Sequence, residues 1–330
     1  DLATFPLFAL FDPALGVTTV FPKMDFSRPG RVHAPVIIEA IQSHRVTHMF
    51  GSPALLKRVV DYYKGTGLRL NSVKRVLTAG APVSQRILRG FADFLVEGEV
   101  FTPYGATEAL PVSSISASEV LGLEGSGGSA GVCVGRPFKG VDVTLIRISD
   151  EPVEALEERL LVDRRQTGEL VVTGPNVSAE YYGRPTANQQ AKIRLKDGRI
   201  GHRMGDLGYF DDQGRIWFCG RKNHRVATQD GVLFSVPTEG VFNRHPDVAR
   251  TALVGVGVGG DQEPVLCVEL DRTKRRSKKT IRTELLELAA RNRNTRSIRR
   301  VLFHKSFPVD VRHNSKIFRE KLAKWAAPRI

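Results

Sequence analysis

The sequence predicts an α/β protein of about two domains, and three observations carry that expectation. Over residues 1–100 short apolar runs alternate with helix-like segments, the pattern of a mostly parallel sheet with helices on its faces. From about 141 to 220 short strands follow one another across polar turns, which predicts a small antiparallel β subdomain completing a larger N-terminal domain. Beyond GRKNHRV (220–226) helical and strand patterns mix again, which predicts a compact α+β C-terminal domain. A length of 330 residues suits that division.

The elements follow in order. DLATFPLFALFDPALG (1–16) is apolar, but it lacks a basic leader and holds Asp12 and two prolines, so it reads as a strand and loop. Residues 17–24 read as a strand. The segment 31–45 reads as a helix with Ile37, Ile38 and Ile41 on one face. A strand at 46–51, a helix at 53–65, a strand at 73–82 and a helix at 84–95 follow, with Ser84 a fitting N-cap. EVFTPYGATE (99–108) is a strand ending in a turn. The glycine- and serine-rich stretch 122–132 reads as a flexible loop. Strands are then expected at 141–148, 168–174, 207–212 and 215–220, the last two joined by the turn signal DDQG (211–214). The third section shows a helix start at 236–246, strands at 247–256 and 264–270, and a last helix at 315–326.

Composition narrows the function classes. Cys133, Cys219 and Cys267 lie far apart in apolar runs, which fits three buried thiols in a reducing, cytoplasmic setting rather than a disulfide framework or a zinc site. The absence of a long apolar run argues against a membrane span. The formal charge of +14 suits polyanionic or phosphate-bearing partners. Much of it lies in 272–283 and 291–300, where Ile281, Leu285, Leu288 and Ala289 keep a helical stripe. That reads as an amphipathic helix with a solvated basic face. Few aromatics interleave with these charges, so a nucleic-acid platform is not expected.

Three stretches could carry chemistry. LTAGAP (77–82) and TPYGATE (102–108) both sit at the ends of expected parallel strands, where such sheets bind ligands. Small residues in the first admit a flat ligand. In the second, Tyr104 could stack on a base, Thr107 could donate to phosphate, and Glu108 could hold Mg²⁺, which prefers one or two carboxylates plus phosphates. Thr107 and Glu108 could equally be turn caps. The third stretch is 201–226. Asp206, between Gly205 and Gly208, could accept from both ribose hydroxyls, and Arg221 could meet phosphate or ribose oxygens. A plain hairpin with surface charges is the other reading.

In this order LTAGAP, YGATE, GELVVTGP (168–175), MGDLGYFDDQGRIWFCGR (204–221) and HNSKIFREKL (313–322) resemble the core motifs of the adenylate-forming superfamily of acyl-CoA synthetases, peptide adenylation domains and luciferases. The resemblance implies that Gly80, Ala81 and Pro82 border adenine and that Tyr104, followed by Gly105, packs on the base. It implies Thr107 on phosphate, Glu108 on Mg²⁺, Asp206 on the ribose hydroxyls and Arg221 on ribose or phosphate. Lys316 would reach the α-phosphate during adenylation. It also implies a large domain over 1–220, a hinge at 221–223 and a mobile small domain over 224–330. The start of the large domain, with its phosphate loop, would lie upstream of Asp1.

Some positions depart from the family pattern. Asn223 stands at the hinge position where Asp or Lys is usual. Ala9 stands where acyl ligases often have histidine, and TQDGVLFSVP (228–237) replaces a glycine-rich loop. FPLFALFDPALG (5–16) and WFCGRKNHRV (217–226) look most like the β-lactone synthetases of bacterial olefin biosynthesis. That resemblance implies ATP-dependent activation of a 2-alkyl-3-hydroxy fatty acid and ring closure by its own 3-hydroxyl, without an external thiol. It implies an acyl tunnel near Phe8, Phe11 and Leu15, an assembly with a reductase and a β-lactone decarboxylase, and peripheral contact with membranes. Long-chain acyl-CoA or acyl-carrier ligation and a non-catalytic AMP-binding scaffold are the alternatives.

Overall fold

The computed structural model describes residues 1–80, 83–123, 131–271, 276–309 and 316–330. Its contacts group the chain into two units: Asp1–Tyr104, Ser113–Gly125 and Val309–Lys316, and then Gly105–Val112, Ser126–Pro308 and Ile317–Ile330. Mixed α/β architecture, with parallel strands first and antiparallel strands after, is as the sequence predicts.

In the first unit β1 (Leu2–Ala3), β2 (His48–Phe50), β3 (Arg75–Leu77) and β4 (Glu99–Ala106) pair in that order, all parallel. The connections are the helices α1 (Ala34–Ser43), α2 (Pro53–Tyr63) and α3 (Gln85–Ala92). Proline in the first turn suits α1 and α2, since the missing N–H would be unpaired there anyway. Ser52 accepts from the Leu55 amide and caps α2. Ile37 and Ile41 of α1, Leu56 and Val59 of α2, and Phe91 of α3 close on Met49, Val76 and Val100 of the strands.

Several local expectations differ from the structure. Residues 17–24 do not form a strand: Val20 alone bridges Leu2, Pro22 has no N–H to donate, and Thr19 is tied to Asp12 at 2.6 Å. Ser84 is at the N-cap of α3, but its carbonyl, not its hydroxyl, receives the Ile87 and Leu88 amides. After the two-residue turn 107–108 the chain returns as β5 (Ala109–Ser116) and α4 (Ala117–Gly122), both unanticipated. Ser116 and Glu119 form a capping box that starts α4. Phe8, Phe11 and Leu15, proposed tunnel residues, are exposed on two 3₁₀ turns.

The second unit contains β6 (Val132–Pro137), β7 (Asp142–Ile146), β8 (Gly168–Thr173), α5 (Pro185–Ala191), β9 (Lys192–Arg194), β10 (Ile200–Phe210) and β11 (Ile216–Arg221). The strands run β6-β11-β10-β8-β7, with β9 added to β10. The pairs β10–β11, β10–β8, β10–β9, β11–β6 and β7–β8 are antiparallel. The DDQG turn is pinned by Asp211, which accepts from the Gln213 and Arg215 amides and from Trp217 Nε1 at 2.9–3.0 Å. Then come β12 (Val226–Thr228), β13 (Gly231–Leu233), α6 (Ser235–Phe242), β14 (Val248–Val258), β15 (Asp261–Leu270), α7 (Lys278–Arg291), β16 (Arg300–Phe303) and α8 (Arg319–Ala326). Helices α6 and α8 pack on β14, and Phe242, Leu253, Leu266, Ile281 and Leu285 share one core.

Ile281, Leu285 and Ala289 are buried on α7, so the basic residues of that helix face outward. The last helix begins at Arg319, four residues later than the sequence suggests, because the Phe318 amide is taken by the Pro308 carbonyl at 2.9 Å. All three cysteines are buried and none forms a disulfide, and burial pushes the Cys219 and Cys267 thiols up to about 12. Among the described residues no helix is long and apolar enough to cross a membrane.

Candidate active site

Adjacent antiparallel strands bring Asp206 and Arg221 together. The two residues are register partners on β10 and β11, fifteen positions apart in sequence. Arg221 donates from one guanidinium nitrogen to Asp206 Oδ1 at 2.9 Å and to the Met204 carbonyl at 2.9 Å. Asp206 is buried, whereas the Arg221 side chain is 49% exposed. A fixed carboxylate beside an accessible planar cation can receive hydroxyls on one side and oxyanions on the other. Gly220, next to Arg221, lets the start of α6 lie against β11: its φ is +120°, and a Cβ there would come within 2.3 Å of Ser235 Oγ.

The 107–108 turn is bound to the chain after β8. The Asn176 side chain donates to the Pro111 carbonyl at 2.6 Å, Ala109 bridges Val177, and the Ser178 amide donates to the Glu108 carbonyl at 2.9 Å. The Tyr181 hydroxyl then donates to Glu108 Oε1 at 2.6 Å. Burial works against the Glu108 charge, but the Tyr181 hydrogen bond outweighs it with help from backbone and nearby cations, so the carboxyl lies below its usual range. Burial first, and the Glu108 carboxylate second, push Tyr181 up to about 12. The Arg221 charge also reaches Tyr181 and His202, so the two clusters form one electrostatic neighbourhood.

His202 stands edge-on to Tyr181, with ring centroids 6.4 Å apart, and Lys192 Nζ lies 5.4 Å above the Tyr181 ring. His202 is buried, and its Nδ1 has no partner among the described residues. Burial, with the Lys192 charge, lowers it to about 4. A histidine whose folded value lies below its unfolded value of 6.5 adds stability fully above that value. The contribution is lost as pH falls toward 4, because the unfolded chain takes up the proton first. The unfolding free energy should therefore drop by on the order of 1 kcal/mol per pH unit through this window. Urea titrations of the protein and of His202→Leu would isolate that slope, and equal slopes would count against a neutral buried ring.

Behind Arg221 lies a buried ion cluster. Arg203 donates to Glu169 at 2.7 Å with both side chains 1% exposed, and Lys222 Nζ is 3.2 Å from the same carboxylate. Both cations also hold the Ser149 carbonyl. Lys222 opens the 3₁₀ turn Lys222–His224 that contains Asn223, so this cluster fixes where β11 ends.

The remaining expected residues are distributed as follows. Thr107 is exposed at the turn beside Glu108, and Gly105 packs so closely on the next strand that a Cβ would meet the Ala109 carbonyl at 2.6 Å. Gly80, with φ +94°, and the half-buried Tyr104 belong to the first unit. Ala81 and Pro82 lie outside the described residues. Asn223 is exposed, and so is Lys316, which precedes α8. Sequence reasoning did not single out Tyr181, Asn188, Lys192 or His202. Away from this site His245, Asp247 and Glu284 converge, but Arg276 bridges Asp247 at 2.9 Å and Glu284 at 2.5 Å, which makes an ion-pair network of the group.

Residues 7–182 match the profile of a family described as AMP-binding enzyme. A curated olefin beta-lactone synthetase of Xanthomonas campestris pv. campestris is 44% identical over 99% of this chain and 59% of its own length. Another of the same name from Stenotrophomonas maltophilia is 45% identical over 100% and 60%. The chain thus spans about three fifths of the length of these relatives. Among solved structures, an O-succinylbenzoate coenzyme A synthetase from Bacillus subtilis, in complex with ATP and magnesium ion, superposes with a TM-score of 0.73 at 21% identity. That match covers 97% of this chain and 59% of the other, and it speaks for the fold.

Proposed function

The chain belongs to the AMP-binding enzyme family, and on that premise we propose that it activates a long-chain 2-alkyl-3-hydroxy fatty acid with ATP and closes it to a β-lactone. The observation that carries the reading is the 44–45% identity to two olefin beta-lactone synthetases over almost the whole chain. In the first step a carboxylate oxygen bonds to the α-phosphorus as the bond to the β-phosphate oxygen breaks, releasing pyrophosphate. In the second the 3-hydroxyl oxygen bonds to the acyl carbon, AMP leaves with the electron pair, and the hydroxyl proton passes to solvent. Both reacting groups belong to one substrate, so holding them in line removes much of the entropic cost.

Asp206 is the acceptor for the ribose hydroxyls, and Arg221 faces ribose or phosphate. Glu108 suits a magnesium ion: its carboxyl is held ionised, and Tyr181 occupies only one of its oxygens. Bound there, the ion supplies positive charge to phosphate oxygens. Thr107 and Lys316 are further phosphate contacts in this reading.

The test is product analysis of the intact protein with ATP and a 3-hydroxy acid, with and without coenzyme A. Lactone and AMP formed without coenzyme A are expected. AMP release that strictly requires coenzyme A would overturn the lactone step and favour an acyl-CoA ligase. The same reading assigns supply of the 3-hydroxy acid to a reductase and consumption of the lactone to a decarboxylase. Association with those two enzymes would show in a pull-down from native lysate.

A further inference from the structure

We infer that Tyr181 is a positioning residue for the divalent cation: its hydroxyl fixes the Glu108 carboxylate so that the second oxygen faces the metal–nucleotide complex. The inference rests on the reading above and adds a residue to it. Three features of the structure carry it.

First, the Tyr181 hydroxyl donates to the Glu108 carboxylate at 2.6 Å, and it takes Oε1 alone. A carboxylate with one oxygen bound and the other open has one orientation in which to meet a cation. Without the bond it would rotate about its terminal torsion, whose energy wells are broad.

Second, Tyr181 is itself held on several sides. Asn188 accepts from the Tyr181 amide at 2.6 Å and donates to its carbonyl at 3.1 Å, a two-bond clamp across seven residues. Lys192 lies over one face of the ring, and His202 meets it at an angle of 73°. The Lys192 ammonium is anchored by Ser178 Oγ at 3.0 Å, on the segment after β8 that also receives the 107–108 turn.

Third, the hydroxyl and the carboxylate are 73 residues apart, and the contact exists only because 176–178 docks alongside 108–111. The same docking that sets the backbone of Glu108 therefore sets its side chain. Partners that orient a metal-binding carboxylate commonly change metal affinity by about 10- to 100-fold when removed.

The test uses the intact protein and two readouts: calorimetric binding of ATP across a magnesium titration, and pyrophosphate exchange at saturating magnesium. Tyr181→Phe keeps the ring and removes the hydroxyl. It is expected to raise the half-saturating magnesium concentration about tenfold or more, with a smaller change in exchange rate once magnesium saturates. In a Glu108→Gln background the same substitution should have little further effect, because Tyr181 acts through that carboxylate. Asn188→Ala should move magnesium dependence in the same direction as Tyr181→Phe. An unchanged magnesium midpoint in Tyr181→Phe, or full additivity with Glu108→Gln, would overturn the inference. Wild-type protein that binds no ATP at any magnesium concentration would overturn the underlying reading instead.

Discussion

Replacing Glu169 with alanine is expected to lower the unfolding free energy by about 3–5 kcal/mol, the largest stability effect of any single substitution considered for this protein. Glu169 and Arg203 are each only 1% exposed, and Lys222 closes on the same carboxylate. Removing the acid leaves two cations without their counter-charge in a place water does not reach. Arg203 would keep the Ser149, Glu151 and Gln190 carbonyls on its terminal nitrogens, which do not replace the lost counter-charge. The cost of breaking such a group comes mainly from the stranded charge, so it exceeds what the intact cluster contributes. An exposed pair such as Lys74–Glu97 offers the contrast: water already solvates both charges, so its removal should cost far less. Denaturant titration of both variants checks the ranking. A Glu169→Ala loss no larger than the Glu97→Ala loss would show that the cluster is solvated. The defect should also reach Arg221 and the nucleotide site proposed around it, since Lys222 follows Arg221 directly in the chain.

How much of this was legible in the sequence depended on distance along the chain. Asp206 and Arg221 flank one hairpin, so the DDQG turn brings their strand ends together, but a bulge between Leu207 and Gly208, which the local pattern does not show, is what sets Arg221 rather than Gly220 opposite Asp206. The parallel order of β1 to β4 follows from regular alternation of strand and helix. Tyr181 and Glu108 were different. Nothing near YYGRP marks that tyrosine, and only the docking of 176–178 on 108–111 brings its hydroxyl to the carboxylate. His202 was hidden because it lies between Gly201 and Arg203 inside β10, where nothing in the local pattern separates it from any strand residue. Strand β5 was hidden by Pro111, a residue that normally argues against a strand. At 17–24 the β-branched run pointed to a strand, and the competing Thr19–Asp12 bond and Pro22 decided otherwise.

Under the proposed function, Lys316→Ala is expected to slow adenylation by about 100- to 1,000-fold, while ATP affinity changes by no more than about fivefold. The difference follows from when the charge is needed. In the ground state an exposed ammonium competes with water for phosphate oxygens and gains little. As the substrate carboxylate approaches the α-phosphorus, two anions converge and negative charge grows on the phosphoryl oxygens, so a cation held there stabilises the transition state more than the bound substrate. Lysine suits that task because it brings a compact point charge on a flexible stem, and residue 316 precedes the rigid turns of α8. Pyrophosphate exchange gives the rate, and binding of a non-hydrolysable ATP analogue gives the affinity. A fall in kcat with an unchanged dissociation constant is the expected signature. A raised dissociation constant with unchanged kcat would instead make Lys316 a ground-state contact, and unchanged values for both would remove it from the mechanism. Lys316→Arg sharpens the distinction. It keeps the charge but spreads it over a planar fork, so it should recover part of the rate if charge is the requirement and none if the geometry of a single ammonium is.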